Sequence, residues 1–249
     1  MEIRYSCEPS PDTIANEDFV LAGPHFALVL DGATPSGLPT GCVHDVPWFV
    51  ARLAGQLGAF LLAHPDEPLP EVLRQAILRT RDLHPQCDHG NPESPSSTVA
   101  LLRADAVADR LDCLVLADSP VVVRTIDDRI EVVSDDRIDH LPAYDRTSVS
   151  ALRNTPGGFW VASTRPEAAE HAATASFPLS HIREAAALSD GVGRLVERFG
   201  WTWTELLDTL AANGPTQLVD SVRKAELALA EGAFHGKRHD DATVLHWHL

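Results

Sequence analysis

Apolar and polar positions alternate along the chain in a way that predicts blocks of strands separated by pairs of helices. An apolar run at residues 25–31 predicts a buried strand, preceded by a shorter strand at residues 19–22. Apolar residues then recur at helical spacing over residues 48–63 and 69–83, with a proline-containing break between the two helices. This arrangement favours an α+β domain in which packed sheets carry helices on the outside.

The middle of the chain holds four apolar or alternating runs joined by short polar links. They cover residues 98–102, 111–117, 121–124 and 130–133. Links of this length predict antiparallel strands connected by hairpins. A further short strand is predicted at 159–162, after a polar and irregular stretch, and the region near Pro178 is predicted to be a loop.

The last third of the chain predicts three helices followed by a strand. The second helix begins at Thr202 or Thr204 as the capping residue, and the third begins at Pro215. Glu226 falls outside the apolar stripe of the third helix, and residues 242–249 predict the final strand. No linker or internal repeat divides the sequence, which predicts one domain over residues 1–249.

Composition and charge exclude several classes of partner. The 249 residues are 44% hydrophobic and carry a formal net charge of −16, which makes nucleic acid and anionic membranes poor partners. Four scattered cysteines predict free thiols rather than a disulfide framework. Without a secretion signal or an apolar run of membrane-spanning length, a cytoplasmic location is expected. The oligomeric state cannot be read from the sequence.

Five acidic positions stand at the ends or edges of apolar runs. They are Glu17-Asp18, Asp31, Asp118, Asp190 and Asp240-Asp241. Each alone is typical of a turn or a helix cap. Gathered carboxylates need a cation to stay ionised, and hard cations such as Mg²⁺ and Mn²⁺ prefer oxygen ligands. A pair of such ions can activate a bridging water and hold a phosphoryl group, so phosphate ester hydrolysis is the natural use.

The order of short motifs adds a resemblance to a known family. The motifs are Asn16-Glu17-Asp18, Asp31-Gly32, Ser96-Ser97-Thr98, Ala117-Asp118-Ser119, Leu188-Ser189-Asp190-Gly191 and Asp240-Asp241-Ala242-Thr243. In this order over nearly the whole chain, they resemble the metal-dependent protein phosphatase 2C (PPM) family. The resemblance implies a four-layer α-β-β-α sandwich of two antiparallel sheets flanked by helices. It also implies two Mg²⁺ or Mn²⁺ ions and a substrate that is a phosphoserine or phosphothreonine protein or a small phosphorylated molecule.

The resemblance implies a role for each matching acidic residue. Asp31 would bridge both ions, and the carbonyl of Gly32 would bind the second ion. Asp190 and Asp240 would bind the first ion, and Asp118 with Asp190 would hold a third ion, as in bacterial members of the family. Water activated between the ions would then attack the phosphate ester.

Three further acidic residues are expected around these ligands. Glu17 and Asp18 would hold waters that bind the ions. Asp241 stands where many members of the family have Asn, so it is expected to neighbour the site without binding an ion. Ser97 and Thr98 are interpreted as strand-start hydroxyls that pack near the site rather than as nucleophiles.

Two departures from the family pattern leave alternatives open. Thr13 stands where many members have an Arg that grips the substrate phosphate, and Ala33 stands where many have a His. Residues considered as replacements for the Arg are Arg4, His25, His44 and Arg52. The alternatives are a non-catalytic binding module with the same fold and a metal-dependent hydrolase that acts on a bond other than a phosphate ester.

Zinc is considered for one loop, where His84, Cys87 and His89 lie close together in the sequence. Loop residues without further ligands are more often simply polar, so the zinc interpretation is not favoured. Cys42 is interpreted as an ordinary small apolar residue because no base is evident beside it.

Overall fold

Ten strands in the computed structural model, which describes residues 2–12, 15–33, 36–229 and 237–249, form two antiparallel five-stranded sheets. Sheet I has the strand order β1 (Glu2–Glu8), β10 (Ala242–His248), β9 (Ile182–Leu188), β6 (Val121–Thr125) and β7 (Ile130–Val133). Sheet II has the order β2 (Phe19–Ala22), β3 (Phe26–Leu30), β4 (Val99–Asp105), β5 (Arg110–Leu116) and β8 (Ala173–Pro178). The first and last strands of the chain therefore pair in the same sheet.

Helices cover the outer face of each sheet and complete four layers. The helices α1 (Val46–Ala63) and α2 (Leu69–Asp82) pack on sheet II. The helices α4 (Asp190–Glu197), α5 (Trp203–Asn213) and α6 (Pro215–Ala228) pack on sheet I. The short helix α3 (Arg146–Leu152) lies in the connection between β7 and β8. Three 3₁₀ turns span Arg137–His140, Pro166–His171 and Leu179–His181. The expected α-β-β-α sandwich is confirmed.

Strand β3 is apolar throughout its length because both of its faces are covered. Phe26 and Leu28 face the helices α1 and α2, whereas Ala27 and Val29 face sheet I. Successive side chains of a strand point to opposite faces, so a strand in the middle of four layers buries both of its faces. The small side chains lie between the sheets and let them pack closely, and the large ones fill the space beneath the helices.

Helix α1 has the composition of a membrane span but the position of a core helix. Contrary to the sequence expectation, it is long and apolar enough to cross a membrane, with a mean hydropathy of 1.4 over 18 residues. Half of that window is buried inside the protein. Phe49, Leu53 and Leu57 are among its buried residues and pack against sheet II. The hydrophobicity of α1 is therefore explained by the core.

The expected series of hairpins in the middle of the chain is wrong at one link. The pairs β4–β5 and β6–β7 are antiparallel neighbours, but β5 lies in sheet II and β6 in sheet I. Residues 117–120 carry the chain across, and Ala117 has a positive φ of 65° that redirects it. Asp118 lies on this crossing.

Three further expectations need correction. Residues 159–162 form isolated bridges rather than a strand, and the loop expected near Pro178 is preceded by the strand β8, which pairs with β5. Strand β8 is an edge strand in which Phe177 is the one large apolar residue, so its sequence carries only a weak apolar signal. Glu226 is fully buried rather than outside the apolar stripe of α6. Between the two proposed caps of α5, Thr202 caps the helix in a capping box with Glu205.

Candidate metal and phosphate site

Four aspartates from distant parts of the sequence line one cavity of about 220 Å³ at one end of the two sheets. Asp31 follows β3, Asp118 follows β5, Asp190 follows β9 as the first residue of α4, and Asp240 precedes β10. The antiparallel pairing of the strands brings these aspartates together. In sheet II, the end of β3, the start of β4 and the end of β5 lie at the same end of the sheet. In sheet I, the end of β9 pairs with the start of β10 in the same way.

Hydrogen bonds fix Asp31 at the tip of β3. Its backbone N–H donates to Thr98 Oγ1 at 3.1 Å, and its carbonyl accepts from the Thr98 N–H and from Ser97 Oγ. The Thr98 hydroxyl is in turn 2.6 Å from Ser119 Oγ. These hydroxyls hold the backbone beside the carboxylate. On its other side, Asp31 Oδ2 accepts the backbone N–H of Asp190 at 3.2 Å, which joins the two sheets at this point.

The glycine after each of two aspartates is required by close packing. A Cβ at Gly32 would lie 2.4 Å from Val46 Cγ1 and 2.5 Å from the carbonyl oxygen of Glu17. A Cβ at Gly191 would lie 1.9 Å from the carbonyl oxygen of Asp241. Both distances are far below van der Waals contact, so the Asp-Gly pairs let neighbouring backbone close in around the cavity.

A buried ionic network holds Asp240. Arg194 of α4 donates from Nη2 to Asp240 Oδ2 at 3.1 Å and from Nη1 to Glu226 Oε1 at 3.1 Å. Glu226, which is fully buried, also accepts from Arg223 at 3.0 Å and lies 2.7 Å from His239 Nδ1. A carboxylate is buried in this way only when it is paired, so the network explains the burial of Glu226 and fixes the start of β10.

Burial and the charges of neighbouring carboxylates raise the pKa of three carboxyl groups at or behind the cavity, those of Asp31, Asp118 and Asp18. Burial is the main cause for Asp31, whose pKa is raised well above the usual range, and the charges of Asp18 and Asp190 add to it. Burial and the charge of Asp190 raise the pKa of Asp118 to about 7. Burial likewise raises the pKa of Asp18 to about 8. Proximity of several carboxyl groups in a poorly hydrated space is the physical origin of all three effects.

The donor set fits a hard divalent cation. The four aspartates offer carboxylate oxygens, the ligand type that Mg²⁺ and Mn²⁺ prefer, and a cation among them would offset the repulsion between their charges. One further oxygen, Asp18 Oδ2, is buried and has no hydrogen-bond partner among the described residues. An unpaired buried carboxylate oxygen of this kind is costly unless a water or an ion satisfies it.

The three other predicted acidic residues lie behind the cavity, whose described lining includes none of them. Asp241 accepts the backbone N–H of Ser10 at 2.7 Å and that of Glu17 at 2.6 Å. Both of its carboxylate oxygens therefore hold the loop between β1 and β2, called here the N-terminal loop. The Glu17 carbonyl accepts the Gly32 N–H at 3.1 Å. Asp18 is 5% exposed, and the hydroxyl groups of Ser189 and Thr243 lie near its carboxyl group.

Among the described residues, two cationic side chains line the cavity, and the sequence interpretation named neither of them. They are Arg153, which follows α3, and Lys237, whose Nζ is 3.3 Å from Asp240 Oδ1. Arg153 Nη1 donates to Ser96 Oγ at 3.3 Å, and its guanidinium carbon is 6.0 Å from the centre of the Phe159 ring. Burial lowers the pKa of Arg153, and the charge of Glu93 opposes this effect.

The residues considered as replacements for the family's phosphate-binding Arg lie elsewhere. Arg4 pairs with Glu2 on β1 at 2.8 Å, and Arg52 lies 5.8 Å from the Trp48 ring on α1. His25 and His44 are also absent from the described lining of the cavity. Thr13 lies outside the described residues, as do Thr34 and Pro35. Ala33, which stands in place of the family's His, lines the cavity and donates its N–H to the Ser96 carbonyl at 2.9 Å.

The chain has the fold of solved PPM phosphatases, two sheets flanked by helices. No family model and no curated protein matches the sequence. Solved structures do match. The phosphatase Stp1 from Staphylococcus aureus is 13% identical with a TM-score of 0.67, covering 100% of this chain and 95% of its own. The PPM Ser-Thr phosphatase MsPP from Mycobacterium smegmatis, solved with cacodylate, is 17% identical with a TM-score of 0.64 over 100% and 98%.

A third similar structure contains metal. The catalytic domain of the serine/threonine protein phosphatase PstP, solved with two manganese ions, is 14% identical with a TM-score of 0.57. It covers 99% of this chain and 97% of its own. At these identities the similarity establishes the fold, and the chemistry of this chain has to be argued from its own residues.

Repulsion between the cavity carboxylates predicts a specific pH dependence of stability when no cation is bound. Since the pKa of Asp118 rises from 3.8 to about 7 on folding, the folded protein binds more protons than the unfolded chain between these values, and stability falls as pH rises. In EDTA, Asp118→Asn should therefore raise the Tm at about pH 8 and leave it nearly unchanged at about pH 4.

Thermal unfolding of Asp220→Asn, which removes an exposed carboxylate on α6, supplies the control. The repulsion account would be contradicted if both variants changed the Tm equally at the two pH values.

Proposed function

We propose that the protein is a metal-dependent phosphatase of the PPM type that hydrolyses a phosphate monoester. The observation that carries the proposal is the cavity in which Asp31, Asp118, Asp190 and Asp240 face Arg153 and Lys237. Carboxylates at one side suit divalent cations, and guanidinium and ammonium groups suit a phosphate. The same cavity thus offers the two kinds of group that phosphoryl transfer needs.

The four aspartates would hold Mg²⁺ or Mn²⁺, and the two manganese ions of the similar PstP structure support this choice. Asp31 is proposed to bridge two ions, with the Gly32 carbonyl on one and with Asp190 and Asp240 on the other. Asp118 and Asp190 would bind a third. When bound, such ions lower the pKa of water and neutralise the charge of a phosphoryl group. Glu17 and Asp18 are proposed to position water from behind the cavity, and Asp241 to hold the N-terminal loop.

Arg153 is proposed to bind the substrate phosphate in place of the Arg that Thr13 replaces. Its contact with Ser96 and its place beside the Phe159 ring hold the guanidinium at the cavity. An arginine can donate two parallel hydrogen bonds to a phosphate, which orients it as well as attracting it. The positive charge also offsets the repulsion that the aspartates exert on an anionic substrate.

Residues 1–249 are proposed to act as one domain in the cytoplasm. The similar structures of Stp1 and MsPP are covered over 95% and 98% of their own chains, which supports one domain. The substrate is proposed to be a phosphoserine or phosphothreonine protein or a small phosphorylated molecule. Two alternatives remain to be tested against this proposal. One is a binding module without activity, and the other is a metal-dependent hydrolase that acts on a bond other than a phosphate ester.

A metal-dependent assay with p-nitrophenyl phosphate tests the activity. The parent should turn over the substrate with Mn²⁺ or Mg²⁺ and lose activity in EDTA. Asp31→Ala, Asp190→Ala and Asp240→Ala should each lower kcat by about 100-fold or more, because each removes an oxygen ligand of the ions. Asp220→Ala, on the surface of α6, should retain activity.

If the folded parent protein hydrolyses neither p-nitrophenyl phosphate nor phosphopeptides in the presence of metal, the phosphatase proposal is contradicted. The binding module would then replace it. Turnover of a non-phosphate substrate instead would point to the other hydrolase.

A second variant series tests the phosphate contact. Arg153→Ala should raise KM by about 10-fold to 100-fold, since a charged hydrogen bond contributes about 1.5–3 kcal/mol. Arg153→Lys keeps the positive charge but lacks the paired donors of a guanidinium. Its KM should therefore lie between that of the parent protein and that of Arg153→Ala. Arg146→Ala, which removes an exposed arginine from the same helix region, is the matched control. An unchanged KM for Arg153→Ala would rule out this role.

A further inference from the structure

Outside the acidic cavity, four side chains that can bind a metal converge beside the helical layer of sheet II. They are Cys42, His44, His84 and Cys87, called here the Cys/His cluster, and their ligand atoms all lie within 4.8 Å of one another. Cys42 and His44 belong to the loop before α1, and His84 and Cys87 to the loop after α2. The helices form an antiparallel pair, and this pairing brings residues separated by 40 positions into contact.

The distances within the Cys/His cluster match those of a tetrahedral metal site. Cys42 Sγ lies 3.5 Å from His84 Nδ1 and 3.6 Å from His44 Nδ1. Cys87 Sγ lies 3.9 Å from His44 Nδ1. In tetrahedral zinc, bonds of about 2.3 Å to sulfur and about 2.0 Å to nitrogen separate these two ligand atoms by about 3.6 Å. These three distances are close to that value, and no two of the four ligand atoms are more than 4.8 Å apart.

We propose that the Cys/His cluster binds one structural Zn²⁺ ion with two sulfur and two nitrogen ligands. Two thiolates with two imidazoles are a donor set that selects zinc, and four protein ligands leave no open position for substrate. The His44 N–H donates to Cys42 Sγ at 3.5 Å, a contact that supports a charged thiolate. On binding, both thiols give up their protons to solvent and the ion's charge balances the two thiolates.

Neighbouring rings enclose the Cys/His cluster. Trp48 stacks on His44 with 3.8 Å between ring centroids, and it meets the His84 ring edge-on at 5.4 Å. His84 is 2% exposed. His89, considered with His84 and Cys87 from the sequence, instead places Nε2 3.0 Å from the His84 carbonyl. The other two members are Cys42, interpreted from the sequence as an ordinary apolar residue, and His44, considered there as a replacement for the phosphate-binding Arg; His89 is not a member.

The ion would tie together two loops that continue to the acidic cavity. Beyond the Cys/His cluster, the Asp88 N–H donates to the Gly41 carbonyl at 2.9 Å and Asn91 Nδ2 donates to the Pro39 carbonyl at 2.9 Å. One loop follows Asp31 and the other leads to Ser96, which contacts Arg153. The zinc site is therefore a structural clamp behind the candidate phosphate site. It does not depend on the proposed phosphatase activity.

Metal analysis of the full chain, with any affinity tag removed, tests the proposal. Mass spectrometry of the metal content after gel filtration should find one zinc per chain. Cobalt substituted for zinc should give the visible absorption bands of a tetrahedral thiolate site. Cys42→Ala and Cys87→Ala should lose both signals, and Cys113→Ala, which removes a cysteine in the core between the sheets, should keep them. Asp190→Ala should also retain zinc, which separates this site from the acidic cavity.

A second readout needs no variant and so does not depend on the folding of one. Zinc should protect Cys42 and Cys87 of the parent chain from alkylation, detected by peptide mass spectrometry, and leave the reactivity of Cys7 unchanged. Zinc removal by a chelator should lower the Tm. A folded, reduced parent that binds neither zinc nor cobalt would overturn the proposal, as would zinc retained in both cysteine variants. A Cys42–Cys87 disulfide in freshly purified protein without zinc would also overturn it.

Discussion

Repulsion between the carboxylates that line one cavity is the constraint on which this structure depends. Asp31, Asp118, Asp190 and Asp240 surround one cavity, and their charges disfavour one another there. The surroundings hold them in place by other means, including the hydroxyl of Thr98 at the backbone of Asp31. Such an arrangement lowers stability unless a cation is bound, and a protein tolerates this cost where function needs the charge. The position of the carboxylates at the ends of two sheets then follows from the fold, because antiparallel pairing brings these ends together.

Much of the fold could be predicted because burial leaves a clear pattern in the sequence. Helices α1 and α2 show a 3.6-residue period, and strand β3 is apolar throughout because both of its faces are covered. Strand β8 could not be found in this way, since an edge strand with one large apolar residue, Phe177, has little apolar contrast. The crossing at residues 117–120 was also hidden, because a turn sequence does not indicate which sheet the next strand joins.

The two halves of the candidate site differ in how far the sequence could predict them. The aspartates stand in ordered motifs at strand ends, and the structure brings them to one cavity. The sequence contains no indication of Arg153, because this residue lies in a polar segment without periodicity and reaches the cavity through the packing of α3.

The Cys/His cluster could be predicted only in part from the sequence. His84 and Cys87 are close in sequence, but Cys42 joins them only through the pairing of two helices that the local pattern does not describe.

The central claim is that the acidic cavity binds a pair of hard divalent ions, and calorimetric titration with Mn²⁺ tests it most directly. The protein should first be saturated with zinc, so that the Cys/His cluster does not contribute heat. We expect at least two Mn²⁺ ions per chain, with the pair lost in Asp31→Ala, because this residue is proposed to contact both. Binding of one weak ion or none by the parent, or an unchanged titration in Asp31→Ala, would contradict the account.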